Sequence, residues 1–276
     1  MGPQPPSGER MPWEILSLLN FWIWVSVLMG LLGVLWLLHL RFENASLADV
    51  GFCGGFFILV LACGLTSDGD ITRRMVVMGM GSIYAFRLGG HLLSHRIWRH
   101  AEDARYRKFR QLLGSREQVG MFLYFHLQVP ACVFFAGLLC WIMSHPHVGL
   151  RWWDGVGVAI FILAVSGEAL ADRQLEVFRS KASNKGKTLR TGLWQYSRHP
   201  NYFFESVHWC AYVPMTIGLP FSWVAVIWPG LMIVSLLWIT GVPWAEAQAL
   251  ANRGDDYRHY QRQTSAFIPW FPAKTL

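Results

Sequence analysis

At 276 residues, with 53% hydrophobic side chains, only 15% charged ones and 15 Trp, the chain has too much apolar surface for an ordinary soluble domain, and its mean hydropathy of +0.30 fits a polytopic membrane protein. The net charge of +7 is concentrated in a few loops, which points to anionic lipid headgroups or a phosphorylated cofactor and away from nucleic acid as a partner. The five Cys (Cys53, Cys63, Cys132, Cys140 and Cys210) lie in apolar stretches with no CxxC pair, so they read as packing residues; no metal site and no disulfide framework are expected.

Residues 1–14 form a polar, Pro-rich tail, and the apolar run that follows is too long for a signal-peptide core and lacks a small-residue cleavage site, so it is expected to be retained. Apolar runs able to cross about 30 Å of hydrocarbon at about 1.5 Å per residue recur from there on. The predicted spans run from about Ile15 to Leu38, Leu47 to Leu65, Met75 to Leu93 and Val119 to Met143. Three more follow: one from Trp153 past Leu163 into a polar helix containing Asp172, one from Phe203 to Leu219, and one from Phe221 to Val242. Gly218-Leu219-Pro220 separates the last two. The expected fold is an all-α integral membrane protein of seven transmembrane helices in a single polytopic domain over 1–276, with helices 1–4 in 15–145 and helices 5–7 in 150–276.

Basic residues set the expected orientation. Arg96, Arg99, Arg105, Arg107, Lys108, Arg110 and Arg116 follow the third span; Arg173, Arg179, Lys181, Lys185, Lys187, Arg190 and Arg198 follow the fifth. Both segments are expected on the cytoplasmic side, with the C-terminal tail (Arg253, Arg258, Arg262, Lys274) beside them and the N-terminus outside. Arg73 and Arg74 fall on the wrong side of that scheme.

Polar residues within apolar spans mark function or internal pairing, because each costs a few kcal/mol in hydrocarbon. Glu43, Asn44 and Asp49 stand at the start of the second span, and Tyr84, Arg87, His91 and His95 share one face of the third at spacings of three and four. A buried cluster tying helices together, with Asp49 and Arg87 as a plain ion pair, is the structural alternative. Glu168 and Asp172 are four apart at the end of the fifth span, which also reads as a solvated helix end.

The segment Ser197-Arg198-His199-Pro200-Asn201-Tyr202-Phe203-Phe204-Glu205 gathers a cation, an imidazole, an amide, a phenol and a carboxylate between a basic loop and an apolar helix. Pro200 biases His199 toward an extended conformation, so the polar groups are delivered at the mouth of the helix that follows. In the tail, Glu246 precedes Tyr257 and Tyr260, three apart among Arg258 and Arg262, which suits either an aromatic base and phosphate or an interfacial anchor. Gly79-Met80-Gly81 lies in an apolar helix, so no Rossmann fingerprint is present, and HExxH, Walker A and GxSxG are absent.

The segment Gly167-Glu168-Ala169-Leu170-Ala171-Asp172-Arg173-Gln174-Leu175-Glu176-Val177-Phe178-Arg179, with Asn184-Lys185-Gly186, Gly192-Leu193-Trp194, Ser197 to Glu205 and the tail from Tyr257 to Pro269, resembles the steroid 5-alpha-reductase C-terminal domain family and its bacterial DUF1295-type homologues. The resemblance implies an inner-membrane enzyme with cytoplasmic cofactor-binding loops. It would take hydride from NADPH and deliver it to the carbon–carbon double bond of a 3-oxo-Δ4 steroid or similar lipophilic enone, working as a monomer with a membrane-soluble substrate. It implies that Tyr84 donates to the ketone oxygen, with Asp49 standing approximately where the family has a Gln-Glu pair and His91 where it has a second tyrosine. It implies a cofactor set of Asp172, Arg179, Arg190, Arg198, Asn201, Tyr202, Glu205, Glu246, Tyr257 and Tyr260, with Arg179 and Arg190 on phosphates, Asn201 and Glu205 toward the nicotinamide or ribose, and the tail tyrosines on the adenosine half. Isoprenylcysteine and phospholipid methyltransferases share the Arg-His-Pro-x-Tyr segment, a later Glu and an Ile-Pro ending but bind S-adenosylmethionine; Asn201 and Glu205 favour the reductase.

Overall fold

The computed structural model describes residues 12–97 and 102–273, and all secondary structure among the described residues is helical. Arg99, Lys274 and residues 1–11 of the N-terminal tail lie outside the described residues, as do the side chains of His95 and Arg96.

Five helical stretches are long and apolar enough to cross a membrane: Asn20–Phe42, Leu47–Thr66, Arg105–Met143, which ends in Gln128–Met143 (α6), Trp152–Arg179, and Ser222–Arg253, which includes Ile227–Val234 (α10). Their apolar residues face outward in large part (Trp22, Val34, Leu37, Ile162, Leu163 and Trp238 are all exposed), as suits helices whose solvent is hydrocarbon. The stretches read as the third and sixth spans do not join that set. Helix Ile71–Leu92 (α3) carries Arg73, Arg74 and Arg87. The other is broken into Pro200–Cys210 (α8) and Tyr212–Met215 (α9), where Pro214 lacks the amide that a continuous helix needs.

The chain divides into two compact units, 1–66 with 81–137 and 67–80 with 138–276. In the first, Pro12–Phe42 (α1) and Leu47–Thr66 (α2) pack together, and Ala104–Leu113 (α4) and Glu117–His126 (α5) close over the turn that joins them. Sequence reading took 96–116 for a loop; instead Asp103 caps α4 by accepting the Arg105 amide at 2.9 Å. Tyr106, Met121 and Phe125 then bury against Ala45, Leu47 and Ala48. Arg110 of α4 is clamped between Glu102 and Glu117, and Glu102 also accepts the Ala45 amide at 2.8 Å, so these charged side chains hold the chain reversal in place.

In the second unit, Trp152–Arg179 (α7) packs along α8 and α9, and Val242–Arg253 (α11) turns into Asp255–Gln263 (α12). Gly167 on α7 lets the Phe204 ring approach so closely that a Cβ would come within 2.4 Å of it. Arg73 and Asp154 form an ion pair at 2.6 Å, with both side chains fully buried. Cys63 and Cys140 are each disulfide-bonded, which corrects the reading of all five as packing residues; Cys53, Cys132 and Cys210 are in no disulfide.

Candidate functional site

The segment 192–199 is fastened to α7 from one side and to the chain's end from the other. Gly192 adopts φ +65°, where a side chain would also strike Gln174, and Gln174 Oε1 accepts the next amide, that of Leu193, at 2.9 Å. Trp194 Nε1 donates to the Ala171 carbonyl at 2.9 Å. From the tail, the Tyr260 phenol donates to the Trp194 carbonyl and, at 3.2 Å, to that of Ser197. Ser197 Oγ donates to Phe267 O at 2.7 Å, and the Arg198 amide to Ser265 O at 2.9 Å. Pro200 opens α8 as expected, whereas His199, at φ −138° and ψ 59°, leaves the helical region without reaching the extended conformation expected of the residue before Pro.

Glu246 on α11 is the hub of the resulting cluster. Its Oε1 accepts from Arg198 Nε at 2.7 Å and from the Tyr257 phenol at 3.5 Å, and it lies 3.4 Å from His199 Nε2. Its Oε2 accepts from Gln261 Nε2 at 2.9 Å. Arg198 further donates through Nη1 to the Gln261 and Thr264 carbonyls at 3.0 and 2.7 Å, so this guanidinium is committed to the fold. Arg190 donates through Nη2 to the Asp256 carboxylate at 2.6 Å and to its carbonyl at 2.8 Å. Burial, aided by the negative Glu246, pushes the Tyr257 hydroxyl up to about 12; burial and the neighbouring Tyr257 raise that of Tyr260. Both rings are almost fully buried, which makes them supports of the tail rather than an open stacking face.

A second group of polar side chains lies on α7, α8 and α11. Asn201 Nδ2 donates to Asp172 Oδ1 at 3.2 Å, which orients the amide. The Tyr202 ring stacks on His199 with centroids 5.5 Å apart and planes within 8°. Glu205, one turn on from Asn201, is buried. Arg179 feels the like charge of Arg253 and the Asp172 carboxylate, and no carboxylate lies within ion-pair distance of Arg179 or Arg253 among the described residues. The Arg253 guanidinium sits 4.8 Å above the Tyr257 ring.

The catalytic candidates belong to the first unit. Tyr84 is 2% exposed, its ring edge-on to Phe56 at 5.7 Å. His91, half-buried in the last turn of α3, accepts from Ser94 Oγ through its carbonyl at 3.1 Å. Asp49 accepts the Tyr106 phenol at 2.6 Å and lies 3.6 Å from Arg105, and the Tyr106 and Tyr124 hydroxyls are 3.2 Å apart. Tyr106 and Tyr124 were not singled out from the sequence, because they come from a segment that reads as a charged loop and from an apolar run.

The family described as "Protein of unknown function (DUF1295)" matches residues 35–264, most of the chain and all of the expected catalytic and cofactor residues. The chain belongs to the DUF1295 family. No curated protein matches it, and no solved structure does. In this DUF1295 protein, then, the site is read from its own geometry. Of the expected cofactor residues, Asp172, Asn201 and Tyr202 form one cradle with Arg179, whereas Arg190, Arg198, Glu246, Tyr257 and Tyr260 form the lock that shapes it. Arg253 was not assigned a role from sequence. Its place one turn after Ala249 and beside Tyr257 could have drawn attention only once α11 and α12 were known to double back.

Proposed function

We propose that this DUF1295 protein is an NADPH-dependent membrane reductase that transfers hydride to the carbon–carbon double bond of a 3-oxo-Δ4 steroid or a similar lipophilic enone. In this reading seven spans place the N-terminus outside and the basic loops and tail in the cytoplasm, in a bacterial inner membrane. The observation that carries it is the pair of cations outside any ion pair among the described residues, Arg179 and Arg253, beside an amide already oriented by a carboxylate, Asn201 on Asp172. Phosphates need spare positive charge, and ribose hydroxyls and a carboxamide need fixed acceptors and donors. Arg190 and Arg198 already hold carboxylates, so they fit a supporting role better than a phosphate contact.

NADPH, when bound, supplies the hydride. Arg179 and Arg253 would hold its phosphates, and Asp172 and Asn201 its ribose or carboxamide. By the resemblance, Tyr84 donates to the substrate's carbonyl oxygen, where negative charge grows as the β-carbon is reduced. Its burial among apolar side chains such as Phe56 keeps water from competing for that proton.

The test is thermal stabilisation of the detergent-purified protein by NADPH against S-adenosylmethionine, followed by loss of NADPH absorbance on adding testosterone or progesterone. Stabilisation by NADPH alone supports the reductase. Stabilisation by S-adenosylmethionine alone overturns it and recasts the same loop as a methyltransferase site. Tyr84→Phe should keep NADPH binding and lose most reduction; equal loss of both removes Tyr84 from the chemistry.

A further inference from the structure

The helix that carries Asp172 and Arg179 has a second face. At about 100° per residue, Leu170 and Val177 project from the opposite side of α7. That side is one wall of a groove of about 370 Å³; Phe178 and, from the returning loop, Leu189 complete its apolar lining, and Arg173 and Lys181 bring cations to it. Its size falls in the range of ligand pockets. Among the bonds that hold the loop in place, Gln174 Oε1 takes the Leu193 amide at 2.9 Å and Asn184 Nδ2 donates to the Phe178 carbonyl at 2.9 Å.

Three features decide what such a groove takes. Leu170 and Val177 remain 48% and 49% exposed, so apolar surface is left open. Neither Arg173 nor Lys181 has a carboxylate within ion-pair distance among the described residues. The groove lies at the C-terminal end of Trp152–Arg179, one of the stretches able to cross a membrane, and so at the height where hydrocarbon gives way to headgroups. An apolar trough that runs into two unneutralised cations at this depth matches an acyl chain continuing into a phosphate.

We infer that this groove is a binding site for an anionic phospholipid of the surrounding bilayer, with the acyl chain against Leu170, Val177, Phe178 and Leu189 and the phosphodiester between Arg173 and Lys181. The site is separate from the cradle of Asp172, Asn201 and Arg179 and does not depend on what that cradle binds.

The full chain, purified in detergent, is titrated with short-chain phosphatidylglycerol, with phosphatidylcholine of the same acyl length, and with inorganic phosphate, and thermal unfolding is followed. Phosphatidylglycerol should raise the midpoint, and the other two should not. In Arg173→Gln/Lys181→Gln, a change of exposed side chains that leaves the core intact, phosphatidylglycerol affinity should fall about thirtyfold, as removal of two cations near a charged interface predicts. Val177→Trp, which fills the trough and leaves both cations, should abolish the shift. An equal shift with phosphatidylcholine, a shift with phosphate alone, or unchanged affinity in the double variant would each overturn the assignment.

Discussion

The Tyr106 phenol donates to the Asp49 carboxylate at 2.6 Å, joining the first turn of α4 to the first turn of α2. Arg105 adds its charge from 3.6 Å, and Tyr124 lies 3.2 Å from the Tyr106 oxygen. A hydrogen bond to a charged acceptor contributes about 1.5–3 kcal/mol. Tyr106→Phe and Asp49→Asn should therefore each lower unfolding stability, and the double variant should lose less than the sum, with a coupling of about 1–3 kcal/mol in a double-mutant cycle. Additive losses would mean that the bond contributes nothing to holding α4 against α2. If Asp49 serves catalysis as well, Asp49→Asn will depress turnover where Tyr106→Phe at matched stability does not.

How far the sequence was legible follows from what each signal rests on. The long apolar helices α1, α2 and α7 are local properties of composition, and the start of α8 at Pro200 follows from the backbone restriction that Pro places on His199. Helix α4 was hidden by its own charges. Tyr106, Phe109 and Leu113 do repeat at three and four, the amphipathic period, but among Arg105, Arg107, Lys108 and Arg110 the density of cations reads as a loop. The residues Ser197 to Glu205 stand out as a candidate site by their chemistry. Their internal pairing was not legible, because Arg198 and Glu246 stand 48 positions apart and only tertiary structure shows that each neutralises the other.

Arg73 counted as a basic residue on the wrong side of the membrane, yet its charge is neutralised by Asp154 at 2.6 Å with neither side chain exposed. Asp154 Oδ2 also accepts the Arg151 amide at 2.7 Å, so one oxygen both caps α7 and holds the guanidinium. Removing a single partner strands a buried charge, at a cost of about 3–5 kcal/mol. Asp154→Ala should lower stability by that amount, while Arg73→Met/Asp154→Leu should restore much of it. A double variant as unstable as the single one would show that the pair is needed for more than mutual neutralisation.

His145 gives the second unit a dependence on pH. It is fully buried; its Nε2 donates to the Ile217 carbonyl at 3.1 Å and its Nδ1 accepts the His147 amide at 3.3 Å, so the neutral ring is the one that fits. Burial lowers its pKa below the usual 6.5, against the opposing effect of the Ile217 bond, and Arg73 lowers it further. A base with a depressed folded-state pKa is protonated first in the unfolded chain, so the stability it contributes is complete above about 6.5 and is lost as pH falls through the folded-state value. Unfolding midpoints measured from pH 8 to pH 5 should drop below pH 6.5, and drop less in His145→Gln, which can still donate to Ile217. Parallel curves for the two proteins would remove His145 as the source.

Glu246 and Arg179 distinguish support from recognition. Glu246→Ala leaves Arg198 without its carboxylate and releases Gln261 and Tyr257 from α11, so α12 should loosen, stability should fall by about 2–3 kcal/mol, and limited proteolysis should cut near 255–263. Arg179→Gln and Arg253→Gln break no ion pair among the described residues, and each relieves the repulsion between two like charges, although Arg253→Gln also gives up the guanidinium over the Tyr257 ring. The ligand-free unfolding midpoint should therefore hold or rise in Arg179→Gln, and Arg253→Gln should lose no more than about 1 kcal/mol. Loss of a charge-assisted phosphate contact in either variant should weaken NADPH binding about tenfold to a hundredfold. Both variants therefore cost less stability than Glu246→Ala while weakening affinity directly. A ligand-free midpoint that falls in Arg179→Gln as far as in Glu246→Ala would make Arg179 another support of the fold and leave the phosphate without its cation.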